Sequence, residues 1–151
     1  MLRTLIILTA LFIAPLWAQD DLPEGAGKAV VARSCTGCHG SEMFSGYYKT
    51  KDDWDSTISQ MTDKGLTLSD ADYAAILDYL STCLGTTPAK IEINKAPACQ
   101  LTHALGIPQK QADAIVAYRE KNGSFKDLDA VKKVEGVDPA ALEKKQAIIA
   151  F

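Results

Sequence analysis

The sequence predicts an all-α protein built as two small helical halves, and three observations carry that prediction. Its β-branched residues are scattered, and strand-like alternation is confined to Lys90–Ile93. Glycine and proline punctuate stretches of helical spacing, at Gly65, Gly85–Pro88, Gly106–Pro108, Gly123 and Gly136–Pro139. The last third also carries one unit twice: a short helix, a turn that starts with Gly and a branched apolar residue (Gly106-Ile107, Gly136-Val137), and a further helix. Two such hairpins can bury one shared apolar face.

Taken in order, residues 1–18 read as an export signal. Arg3 gives a positive start, Leu5–Ile13 a short apolar run, Pro15 a break and Ala18 a cleavage residue. The apolar run is shorter than the roughly 20 residues a spanning helix needs. No other segment has that character, so the mature chain is expected in the periplasm with no membrane span. Ala26–Ser34 predicts a first helix. Asp52–Lys64 predicts a second, closed at Gly65. Ser69 with Asp72 reads as a capping box that opens a third helix, Asp70–Leu84.

Gly85-Thr86-Thr87-Pro88 is turn chemistry and sets the boundary. The expected domains are 19–85 and 91–151, with 86–90 as linker. In the second, Asn94 is expected to cap a helix ending near Ala104. Pro108 suits the first turn of the next helix, which runs to Asn122. A short helix over Asp127–Lys133 and a final helix to the C-terminus complete the chain.

The formal net charge is −3. It is unevenly spread, with eleven acids and five bases over Gln19–Gly85 against eight acids and ten bases over Thr86–Phe151. Neither half has the extreme charge of a nucleic-acid tail or a disordered acidic segment.

Cys35-Thr36-Gly37-Cys38-His39 is the segment with the most specific chemistry. Two thiols three residues apart can add to the vinyl groups along one porphyrin edge, and the adjacent imidazole can reach the iron. It predicts one covalent haem c, with Cys35 and Cys38 as attachment points and His39 as axial ligand. The other readings are a redox-active Cys pair and half of a zinc site. The remaining soft or imidazole ligands are Met43, Met61 and His103. Met43 lies only four residues after His39, a reach of roughly 13 Å at most, too short to round a macrocycle. Met61 is therefore the expected second axial ligand, its other reading being a core methionine. Cys83 and Cys99 are left to form a disulfide across the boundary or to stand as two buried thiols.

Gln19–Gly85 resembles a small class I cytochrome c domain. Gly27 and Val31 stand before Cys35 where that family packs its first helix on its last, and Ile76-Leu77-Asp78-Tyr79-Leu80 is similar to the partner segment. Trp54, Met61 and Gly65 resemble the Trp-x6-Met-x3-Gly pattern of that family, in which the Met is the axial ligand. The resemblance implies that Trp54 and Tyr48 border the haem, Trp54 having core packing as its other reading.

Ile91–Phe151 resembles the tandem helix-hairpin-helix domain of ComEA-type competence DNA receptors. The resemblance rests on Ile93-Asn94-Lys95-Ala96, Leu105-Gly106-Ile107-Pro108, Tyr118-Arg119-Glu120-Lys121-Asn122-Gly123-Ser124-Phe125 and Glu135-Gly136-Val137-Asp138. It implies phosphate binding around Gly106, Ile107, Lys110, Gly136 and Val137, with Lys132, Lys133, Lys144 and Lys145 as further cations. The second glycine of each hairpin is replaced, by Pro108 without an N–H and by Asp138 with a negative charge. His103 and Tyr118 read as ordinary core or surface residues.

These readings lead to an expected electron carrier rather than an enzyme: a periplasmic monohaem cytochrome whose second half docks a redox partner, a dehydrogenase or an oxidase. The alternative is a DNA-binding haem protein related to competence receptors.

Overall fold

A computed structural model describes residues 22–151. The export signal expected over residues 1–18 lies outside them. The described chain is helical, with α1 Lys28–Cys35, α2 Lys51–Asp63, α3 Asp70–Cys83, α4 Ala98–Leu105, α5 Gln109–Asn122, α6 Leu128–Lys132 and α7 Pro139–Lys145. Two-residue strands β1 (Ile91–Glu92) and β2 (Ile149–Ala150) pair in parallel, Ile91 opposite Ile149.

In the first half, α2 and α3 start on caps the sequence supplies. Thr50 accepts from the Asp53 amide and Ser69 from the Asp72 amide. Asp72 does not complete the capping box, because its carboxylate pairs with Arg33 on α1. Val31 of α1 packs with Ile76, Tyr79 and Leu80 of α3, and Trp54 and Ile58 of α2 close the core. Gly27 lets α1 meet α3, since a Cβ there would lie 2.9 Å from the Ala75 carbonyl oxygen and 2.9 Å from Tyr79 Cβ. The Trp54 Nε1–H donates to the Leu84 carbonyl at 2.9 Å, which also receives the Lys49 amide.

The second half encloses its own core, with Leu101, Leu105, Ile107, Ile115, Val131 and Leu142 among the buried side chains. Two expectations change here. Asn94 does not cap α4. The residue before a proline is kept out of the helical region, so Pro97 delays the helix to Ala98. Asn94 instead ties two loops together: its Oδ1 accepts from the Phe125 amide at 2.7 Å, and its Nδ2 donates to the Phe125 carbonyl at 2.9 Å. Nor does the last helix reach the C-terminus. It ends at Lys145, and the chain turns through a 3-10 segment into β2, where Ile149 is buried and the Ile93 amide donates to the Ala150 carbonyl.

The halves meet along a seam. Cys83 at the end of α3 and Cys99 in α4 form a disulfide, with Cα atoms 5.1 Å apart. Both are buried, and Cys99 packs in the first core although it belongs to the second half of the chain. Among the described residues, no buried side-chain polar atom lacks a hydrogen-bond partner, and no helix is long and apolar enough to cross a membrane.

Candidate functional site

Two regions contain the residues singled out above. The first is a cavity of about 850 Å³ in the first half. Cys35, Cys38, His39 and Met61 all line it, together with Trp54. Cys35 closes α1, and burial pushes its thiol above the ordinary range, while Cys38 is exposed. His39 sets its ring edge-on to Phe44, with centroids 5.9 Å apart, and its Nδ1 lies 3.3 Å from the Gly40 carbonyl. Met43, set aside on chain length, lines the same cavity, and so do Phe44, Tyr47 and Lys49. The short helical turn Ser41–Met43 directs the chain back along the rim, which residue spacing alone does not show.

Of the two aromatic residues expected at this cavity, one lies elsewhere and one lines it as a core side chain. Tyr48 does not line it; its ring stacks on His103 with centroids 3.7 Å apart, across the seam. Trp54 is a core residue whose single N–H is already taken by Leu84, so it has no donor left for a bound carboxylate. Among the described residues, no group of three or more His, Cys, Asp or Glu side chains is gathered as a metal ion would require. Cys35, Cys38 and His39 thus share a cavity without forming such a group.

The second region is the pair of hairpins. Gly106, after α4, has φ +67°, and Gly136, after α6, has φ +83°. Side chains avoid this left-handed conformation, which turns the chain sharply into the next helix. Ile107 and Val137 follow, and both are buried. Their side chains peg the turns into the core. Pro108 precedes α5, whose first amides, those of Gln109 and Lys110, have no partner within the helix.

The second hairpin is closed. The Asp138 carboxylate accepts from the Ala140 amide at 2.9 Å, and the Asp138 amide donates to Gln111 Oε1 at 3.1 Å. The cations also differ in their freedom. Lys132 is held between Asp129 at 2.9 Å and Glu143 at 3.1 Å, while Lys110, Lys133, Lys144 and Lys145 form no ion pair among the described residues. Behind the hairpins, Arg119 is structural. Its guanidinium donates to the Ile93 carbonyl at 2.6 Å and to the Lys95 carbonyl at 3.3 Å.

Known proteins resemble this second region. Residues 87–149 match the family model described as a helix-hairpin-helix motif. An uncharacterized protein of Haemophilus influenzae is 43% identical over 63 residues, 41% of this chain and 56% of the relative. ComE operon protein 1 of Bacillus subtilis is 35% identical over 65 residues, 43% of this chain and 32% of the relative. Endonuclease/exonuclease/phosphatase family domain-containing protein 1 of Rattus norvegicus is 32% identical over 66 residues, 44% of this chain and 11% of the relative. The chain therefore spans little more than half the length of the first relative and about a third of the second. No solved structure matches it significantly.

These findings correct the expected function. The expectation of a cytochrome that carries electrons through the iron of a haem c rests on one five-residue segment and the residues assigned around it. The family match and the ComE relative point to the hairpin module instead, and the cysteines and histidine form no metal-holding group. A redox partner finds no support either. The described chain is mostly helical, its residues 87–149 match the helix-hairpin-helix motif, and it is similar over part of its length to ComE operon protein 1.

Proposed function

We propose that this chain is an exported DNA-binding protein of the DNA-uptake kind, that it holds the DNA backbone through its helix-hairpin-helix module, and that it is a binding protein rather than an enzyme. The observation that carries the reading is the match over residues 87–149, in which Gly106 and Gly136 both turn the chain into a helix start. Replacement of the second glycines does not remove the means of holding a phosphate; it moves them. Pro108 has no N–H to give, but the first-turn amides of α5 lie just beyond it, at the positive end of a fourteen-residue helix and beside Lys110. The other hairpin contributes less, because Asp138 fills the start of α7 with its own carboxylate.

The division at residues 86–90 belongs to the same proposal, as does export through residues 1–18. Residues 22–85 are assigned no DNA contact, since their excess of acids opposes a phosphate backbone. Backbone binding of this kind is insensitive to sequence and steeply sensitive to salt, because each neutralised phosphate releases counterions. Fluorescence anisotropy of the full chain with a labelled duplex is the test. Binding at low salt is expected to weaken as salt rises, and Lys110→Ala is expected to weaken it for every sequence alike while lowering the salt slope by about 1. A duplex that stays unbound at low salt overturns the proposal.

A further inference from the structure

The loop from α5 to α6 shapes a second cavity, of about 430 Å³, outside both regions described above. Its walls combine aromatic surface with polar groups: Tyr118, Asn122, Ser124 and Phe125, with Lys126 and Lys133. Tyr118 stacks on Phe125 with centroids 5.1 Å apart and an interplanar angle of 13°. Phe125 is buried, whereas Tyr118 keeps 37% of its surface exposed. The buried ring thus backs an exposed one and holds it as a flat platform. The Asn122 Nδ2 donates to the Tyr118 carbonyl at 2.9 Å, and its Oδ1 has no partner among the described residues.

The charges at this cavity are already sorted. Asp127 accepts from the Ala130 amide as the cap of α6. Asp129 is held low first by its hydrogen bond and ion pair with Lys132, and to a smaller extent by nearby Lys133. Among the described residues, Lys126 and Lys133 are in no ion pair. A ligand here meets a π-face, an amide oxygen, two ammonium groups and two carboxylates, of which Asp127 is engaged by the Ala130 amide and Asp129 by Lys132. The ring and the cations are the groups that single-stranded nucleic acid uses: bases stack on aromatic rings while cations track the phosphates. Tyr118 is also placed to share a strand with the hairpin. It lies eight residues from Lys110 on the same helix, about 12 Å along the axis, or roughly four nucleotides at a rise of 3.4 Å.

We propose that the Tyr118 cavity takes an unpaired base of a DNA strand whose backbone is held at the first hairpin, so that the module prefers a duplex with a single-stranded overhang to a blunt one. This rests on the DNA-binding reading, and the experiment separates the two. The full chain is titrated by anisotropy into a short blunt duplex and into the same duplex with an oligothymidine overhang, at one low salt concentration. The overhang is expected to tighten binding about fivefold to a hundredfold, the range for stacking one base. Tyr118→Ala removes that preference and leaves blunt-duplex binding unchanged, and Tyr118→Phe restores it. Should Tyr118→Ala disturb folding, seen by circular dichroism, the surface variant Lys126→Ala with Lys133→Ala carries the test, with loss of the overhang preference expected. Equal binding of the two DNAs by the unaltered chain, or a preference that survives both Tyr118→Ala and the lysine pair, overturns this proposal and leaves the DNA-binding reading standing. Failure to bind either DNA overturns both.

Discussion

Pro108 and Asp138 hold the same place in the two hairpins, and they affect phosphate binding to different degrees. Proline removes one donor and no more, since the amides of Gln109 and Lys110 follow it at the start of α5. Asp138 does three things: its carboxylate fills the start of α7, its amide is spent on Gln111, and its charge repels a phosphate. Removing only the charge should therefore help. Asparagine caps helices as well as aspartate does. Asp138→Asn is expected to leave the urea midpoint within error and to raise duplex affinity about threefold to tenfold at low salt, with the gain fading as salt screens it. An affinity unchanged by Asp138→Asn would show that the second hairpin lies away from the DNA.

At the scale of elements, the turns and caps were largely legible, and the tertiary ties were not. Ser69 as the cap of α3, Gly65 after α2, and the stops at Gly106 and Gly123 follow from local chemistry that the sequence displays. Pro97 was also on display, and its effect on Ala96 fixes where α4 starts. The Asn94 side chain suits a cap, yet its partner lies 31 residues away, a distance no local rule spans. Replacing it tests that role: Asn94→Ala leaves the Phe125 amide and carbonyl without their bridge and is expected to cost about 1–3 kcal/mol in urea unfolding. Gly27 has the same lesson for packing. Its φ of +92° and the 2.9 Å approach of Ala75 and Tyr79 leave no room for a methyl group, so Gly27→Ala is expected to cost about 2–5 kcal/mol by the same assay. The cavity at Cys35 shows the opposite limit. Cys35, Cys38, His39 and Met61 line one cavity, whereas Tyr48, expected beside them, stacks across the seam on His103, which no residue spacing reveals.

The molecule as a whole depends on that seam. A disulfide with both sulfurs buried joins residues 16 apart, and Gly25 sits against it, where a Cβ would lie 2.9 Å from Cys83 Sγ. Closing a loop of that length contributes about 3 kcal/mol by restricting the unfolded chain, so Cys83→Ser with Cys99→Ser is expected to lower unfolding stability by about that amount. The seam also contains a histidine contact. The His103 Nε2 lies 2.8 Å from Thr87 Oγ1, and its ring lies flat on Tyr48. Burial, and then the charge of Lys145, hold its pKa below the ordinary value of about 6.5. A histidine depressed in this way is protonated more readily in the unfolded chain than in the folded one. Its contribution to stability is therefore whole above about pH 6.5 and is lost as pH falls from there toward the folded value. Urea midpoints of the unaltered chain should accordingly decline on acidification through that window. His103→Phe keeps a ring on Tyr48 but cannot take a proton, so the part of the decline that belongs to the seam should vanish in this variant. An identical decline with and without His103 would place the acid sensitivity in the carboxylates of the first half instead.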